Sequence, residues 1–203
     1  MTKIWTLGWV LLVGQFGCVS QPDLDSSAGR SIADQSGSPS MSTMSHAAFD
    51  GNVDEVKRLA ALGKSVNGES YDVFTPLMWA ASGGHEIVAL TLMELGADPN
   101  VRSSVGHSAL SEAARGCHLD VVKLLIKHGA DVNAADVNRV GGYTPLMYAA
   151  AHGCEGMCEY LLSHGANVRA TDRAGNTAAQ IAASHGNLPL SRWLADQQTL
   201  KAT

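Results

Sequence analysis

The chain has 203 residues, of which 45% are hydrophobic and 16% charged, with a formal net charge of −5. This balance excludes an ordinary disordered chain, which is more charged and less apolar, and the excess of acidic residues argues against nonspecific nucleic-acid binding. The 21 glycines do not recur at every third position as collagen requires, and 4 cysteines are too few for a disulfide-dense scaffold of this length. Rings are scarce (4 Trp, 4 Tyr and 3 Phe) and small residues abundant, which points to close-packed helices joined by tight turns.

Residues 1–17 read MTKIWTLGWVLLVGQFG. Lys3 precedes an apolar run from Ile4 to Val13, which has the length of a signal-peptide h-region and is too short for a comfortable membrane span. The following Gln15-Phe16-Gly17-Cys18 resembles the lipobox of bacterial lipoproteins, in which the signal is cut before a cysteine that is then acylated. Gly17 fits that pattern, whereas Gln15 stands where Leu is usual. The resemblance implies export, with a signal peptide over 1–17 and lipidation at Cys18. Plain cleavage after Ser20 is the competing reading, because Cys18 and Ser20 are both small. Residues 18–41 are rich in Ser, Asp, Gly and Pro and cannot bury enough surface to fold, so they are expected to form a flexible tether.

From residue 42 the chain repeats itself. Gly63, Gly96, Gly129 and Gly165 are spaced by 33, 33 and 36 residues, and Thr75, Ser108, Thr144 and Thr177 by 33, 36 and 33. The units read TPLMWAASGGHEIVALTLMELGADPN, SALSEAARGCHLDVVKLLIKHGADVN and TPLMYAAAHGCEGMCEYLLSHGANVR, between a partial unit from His46 and a final one from Thr177. Thr75 and Thr144 suit a helix N-cap, and Pro76 and Pro145 the first helical position, where no N–H is needed. The pairs Ala80-Ala81, Ala113-Ala114 and Ala149-Ala150 allow neighbouring helices to approach closely. Gly129 suits the left-handed residue that ends a second helix, and Asp131-Val132-Asn133 suits a projecting turn.

The period, the TPL opening and the GADVN-like close resemble ankyrin repeats. The resemblance covers residues 42–198 and leaves 199–203 as a C-terminal tail. It implies an all-α solenoid of stacked helix-turn-helix units, about three full repeats between two capping ones, stabilised by nearest-neighbour contacts. Three departures stand out. The histidine usual after TPL is Met78, Ser111 and Met147, which exchanges a buried hydrogen bond for apolar contact. Gly156 is expected to break a second helix, and three inserted residues lengthen the turn between Ala134 and Gly142.

Candidate sites are few. No GxSxG, HExxH or phosphate-cradling glycine loop is present, so the chain is read as non-catalytic and without a cofactor. No CxxC-type spacing marks a metal site, and His85 with His118, like His128 with His164, recurs at one repeat position as a scaffold residue does. Cys117, Cys154 and Cys158 leave three readings open: reduced semi-buried thiols, a Cys154–Cys158 bridge, or a bridge from Cys117. Residues four apart on a helix lie near the upper Cα separation for a disulfide, and stacked helices are about 8–10 Å apart.

The rings give the strongest lead. Ankyrin partners usually contact the projecting turns and the exposed side of the first helices. By register, Tyr71 and Phe74 fall in the turn before Thr75, and Trp79 falls at the outward position of the first helix. Tyr143 and Tyr148 occupy the matching places two units on, with Glu112 and Arg115 at outward positions between them. Exposed rings beside an arginine have the composition of an interaction hot spot. Phe49, Tyr160 and Trp193 are instead assigned to core or cap packing. The resemblances together imply a protein-binding scaffold of the bacterial cell envelope, monomeric when free and touching a membrane only through a lipid anchor. Two purposes compete: an immunity or inhibitor protein, or an accessory factor for a resident periplasmic defence enzyme such as one giving peroxide protection. The sequence names no partner.

Overall fold

The three central repeats each open with a side chain that caps a short helix. Thr75 and Thr144 accept at Oγ1 from the amides of Met78 and Met147, both at 3.3 Å, and Ser108 Oγ accepts from Ser111 N at 3.1 Å. Each satisfies one of the amides that a helix start leaves without a partner. A computed structural model describes residues 43–68, 74–104, 106–136 and 141–200. Within them ten helices form five pairs: α1 (Thr43–Phe49) with α2 (Val53–Ala61), α3 (Pro76–Ser82) with α4 (Glu86–Glu94), α5 (Ala109–Arg115) with α6 (Leu119–Lys127), α7 (Pro145–Ala151) with α8 (Glu155–Ser163), and α9 (Ala178–Ser184) with α10 (Leu188–Leu200). The expected all-α solenoid is what forms. The signal peptide, the tether, Cys18 and Tyr71 lie outside the described residues.

The first helices stack in one row, α1 on α3 on α5 on α7 on α9. The alanine pairs make this possible: Ala80, Ala81, Ala113, Ala114, Ala149 and Ala150 are all fully buried. Leu77, Leu110 and Leu146 from the first helices meet Leu92, Leu125 and Leu161 from the second to fill one continuous core. An Ala- and Leu-built core suffices because each repeat buries its apolar face against its neighbours.

The first described unit begins at Thr43, three residues before His46, and holds both of its helices. Two expectations need correction. Gly156 does not break its helix: α8 keeps the nine residues of α4 and α6, because Gly156 lies in the first turn and meets no neighbouring atoms. An exposed glycine there costs only its own entropy, about 0.5–1 kcal/mol relative to Ala. Replacing the usual histidine also does not abolish its hydrogen bond at Ser111, whose Oγ accepts from Ser108 N at 2.9 Å and donates to Ser108 O at 2.9 Å. At Met147 the thioether sulfur takes the same place, 3.5 Å from Thr144 N.

Two ladders cross the repeats. On the turn side, Asn100 Nδ2 donates to Gly129 O at 2.9 Å while its Oδ1 accepts from Asp131 N at 2.9 Å. Asn133 does the same one repeat on, donating to Gly165 O at 3.1 Å and accepting from Asn167 N at 2.8 Å. At the opposite edge the links run backwards. His85 and His118, at the starts of α4 and α6, donate from Nε2 to Phe49 O at 2.9 Å and Ser82 O at 3.0 Å. These rings need empty space on the preceding repeat. Gly51 and Gly84 supply it: a Cβ there would lie 2.7 Å from His85 Nδ1 and 2.5 Å from His118 Nδ1.

The next junction breaks this pattern twice at once. Cys117 replaces the glycine and Cys154 replaces the histidine, and the two form a disulfide with Cα atoms 5.9 Å apart. Cys117 keeps the left-handed backbone of the glycines it replaces, at φ +58°, which among the described residues no other non-glycine adopts. Of the three readings left open, the Cys117 bridge is the one that forms. Cys158 is free and buried. Burial, with Glu155 and Glu159 nearby, pushes its thiol up to about 12.

Candidate partner-binding site

The first-helix row places a run of rings across three junctions. Phe49 at the end of α1 meets Trp79 of α3 edge-on, with centroids 5.5 Å apart. Trp79 meets Phe74 edge-on at 5.2 Å, and Phe74 stacks on His107 at 5.5 Å. His107 lies 6.5 Å from Tyr148 of α7, which meets Tyr143 edge-on at 5.3 Å. The helices set this order. Trp79, Glu112 and Tyr148 hold one register position on successive first helices, while Phe74, His107 and Tyr143 come from the turns that lead into them. Edge-to-face pairs at such distances contribute about 0.5–1.5 kcal/mol beyond their burial.

Beneath the rings lies a charged network that residue order alone does not reveal. Glu112 was expected to face outward, but it is 1% exposed. Its carboxylate accepts from His107 Nδ1 and, at 2.6 Å, from Arg115 Nη2. The other imidazole nitrogen, Nε2, lies 3.8 Å from Asp136 Oδ2, and Asp136 is also buried. The Tyr148 hydroxyl donates to the same Oδ2. Burial, and then the Asp136 carboxylate, push the Tyr148 phenol far above its ordinary range. Tyr143 is raised for similar reasons, first by burial and then by Asp172 and Asp136. Both phenols therefore stay neutral donors at any physiological pH.

The expected site residues thus divide. Trp79, Arg115, Tyr143 and Tyr148 are half-buried, each with one side available. Phe74 and Glu112 are buried and support the others from below, a correction that follows from the close approach of neighbouring repeats. Phe49, assigned to packing, is 43% exposed and begins the ring row. Tyr160 and Trp193 are half-buried against the core, and Tyr160 stacks on His164 at 4.0 Å. His107 and Asp136 were missed. Their signal is a histidine and an aspartate in equivalent pre-helix turns, one repeat apart. Among the described residues no group of His, Cys, Asp and Glu is arranged to hold a metal, and no helix is long and apolar enough to cross a membrane.

The sequence matches the family described as ankyrin repeats (3 copies) at residues 24–103, 44–136 and 88–172. It is similar to ankyrin repeat domain-containing protein 63 of Homo sapiens, 41% identical over 100 residues, which cover 47% of this chain and 26% of that protein. It is similar to ankyrin repeat and SOCS box protein 16 of Mus musculus, 38% identical over 116 residues, covering 53% of this chain and 25% of that protein. B-cell lymphoma 3 protein homolog of Mus musculus is 40% identical over 98 residues, 48% of this chain and 21% of that protein. The chain spans about a quarter of the length of these curated relatives, so the likeness lies in the repeats. Repeat arrays of this kind act as protein–protein interaction scaffolds. With its period, its capped helix pairs and its family match in agreement, this chain belongs to the ankyrin-repeat family.

Proposed function

We propose that this protein is a non-catalytic scaffold of the bacterial cell envelope that binds a partner protein across its first-helix row and turn tips. The observation that carries this reading is the ring row from Phe49 to Tyr143, in which Trp79 and Tyr148 stand half-exposed on either side of a buried ion-paired carboxylate. Large rigid rings held in place by neighbours lose little entropy on binding, and together with arginine they dominate binding hot spots.

Export follows from the N-terminal segment, with Cys18 as the lipid acceptor and residues 18–41 as the tether. The Cys117–Cys154 disulfide supports this placement, because disulfides form in oxidising compartments such as the periplasm.

Affinity capture from envelope extracts, with the wild-type chain and with Trp79→Ala/Tyr148→Ala, tests the site. The double variant should lose at least about tenfold in partner affinity while its helical circular dichroism stays unchanged, since hot-spot rings are worth about 2 kcal/mol or more each. Undiminished capture would place the partner elsewhere. The partner also decides the purpose: a toxic enzyme from a rival cell marks an immunity or inhibitor protein, and a resident enzyme marks an accessory factor. Intact mass of membrane-fraction protein tests the anchor, and an unmodified chain beginning after Ser20 would remove it.

A further inference from the structure

The Gly–His seam that joins successive repeats becomes a Cys–Cys seam at one junction only among the described ones. Gly51 faces His85, Gly84 faces His118, Cys117 faces Cys154, and Gly153 faces Asn187, whose Nδ2 lies 2.8 Å from where a Cβ on Gly153 would stand. A cysteine at the left-handed position carries a backbone penalty that glycine does not. A Cβ there would also collide with a histidine opposite, as it does at Gly84. The two cysteines are thus mutually dependent, and together they replace a ring-to-carbonyl hydrogen bond with a covalent bond.

The location matters as much as the bond. Cys117 follows α5 by two residues and comes two after Arg115, while Cys154 follows α7 and opens α8. The disulfide ties together the ends of the two helices that carry Glu112 with Arg115 and Tyr148, the groups that the His107–Asp136 network must hold in register.

We infer that the Cys117–Cys154 bridge is a redox-controlled joint, opened and closed by a dithiol–disulfide oxidoreductase, that sets the spacing of α5 and α7 beneath the ring row. Its consequence for a partner rests on the binding function proposed above, but the joint itself does not. Cys117 is exposed, so an external thiolate can attack the bridge. The attacking dithiol forms a mixed disulfide, and its second thiol then displaces the remaining cysteine. Two electrons pass to the bridge, the dithiol becomes a disulfide, and its two protons end on the Cys117 and Cys154 thiols. Closing is the reverse, with an oxidised partner of the same class as electron acceptor. The buried Cys158 thiol stays protonated and does not compete by internal exchange.

Amide hydrogen exchange of the full chain, with and without dithiothreitol, tests this without any partner. Reduction should speed exchange at residues 112–118 and 148–158 by at least about tenfold, and less at α1 and α2, because the constraint is local to one junction. The comparison protein is Cys117→Gly/Cys154→His, which restores the seam of the two preceding junctions and should show no response to reductant. Unchanged exchange in the reduced wild type overturns the proposal, and so does an equal response in the double variant. Thiol titration of the denatured chain provides an independent check: treatment of the folded protein with an oxidised dithiol protein should remove the reactive thiols of Cys117 and Cys154, and thiols that persist at both after that treatment would also overturn it. Intact joint behaviour with no partner capture would leave the joint standing and remove only the binding function.

Discussion

Glu112→Ala is expected to destabilise the fold by about 2–3 kcal/mol, one of the largest losses available from a single side chain outside the apolar core. The carboxylate is 1% exposed and accepts from both His107 and Arg115. Its removal takes a carboxylate away from His107 and Arg115 and opens a void under the ring row. Breaking a buried ion pair costs about 3–5 kcal/mol, and the figure is lowered here because Arg115 is 35% exposed and can turn to solvent. Glu112→Gln keeps the shape and one acceptor and should lose about 1 kcal/mol. Urea unfolding followed by circular dichroism reads both values. Equal midpoints for wild type and Glu112→Ala would show the network to be energetically idle. Adding His107→Ala to each background measures the coupling directly, and a clearly non-additive pair is expected.

Gly84→Ala should cost about 2–3 kcal/mol, for a reason that reaches into the next repeat. The backbone at Gly84 is left-handed, at φ +72°, which any side chain resists. The new Cβ would also lie 2.5 Å from His118 Nδ1, so the ring must move and release its 3.0 Å bond to Ser82 O. Gly96→Ala is the control. Its φ is +96°, but no atom lies within 4 Å of the added Cβ, so only the backbone cost of about 1–2 kcal/mol remains. Thermal unfolding of the two variants should separate them by about 1 kcal/mol or more. If they are equally stable, the histidine seam contributes nothing to cohesion.

These two sites show what residue order can convey in a repeat protein. Capping residues, alanine pairs and terminal glycines recur at fixed offsets, and each acts within its own unit, so the helices at Pro76, Ala109 and Pro145 are legible without a structure. Glu112 is different. Its register position is outward, as Trp79 and Tyr148 confirm, yet His107 and Arg115 close over it while Tyr148 holds Asp136 on the other side of the imidazole. Phe49 was assigned to packing and does meet Trp79, but it closes the last turn of α1 and stays 43% exposed, which its apolar character alone does not convey. The cysteine pairing was closer to hand. Cys117 sits 37 positions ahead of Cys154, which is the offset that separates Gly51 from His85 and Gly84 from His118 lengthened by the three inserted residues of the intervening turn. Read as a seam rather than as two isolated residues, that offset selects the pairing.

The disulfide also gives the array a mechanical asymmetry. An ankyrin stack held at both ends and stretched yields its repeats one after another, each releasing its full length of chain. Here the segment between Cys117 and Cys154, 37 positions apart, is a closed loop that tension cannot extend. Reduction should therefore lengthen the fully unravelled chain by on the order of 120 Å, at roughly 3.4 Å per residue. A single-molecule force trace recorded before and after reductant measures that increment. Under load, the middle of this protein is a covalently closed loop in an otherwise extensible thread.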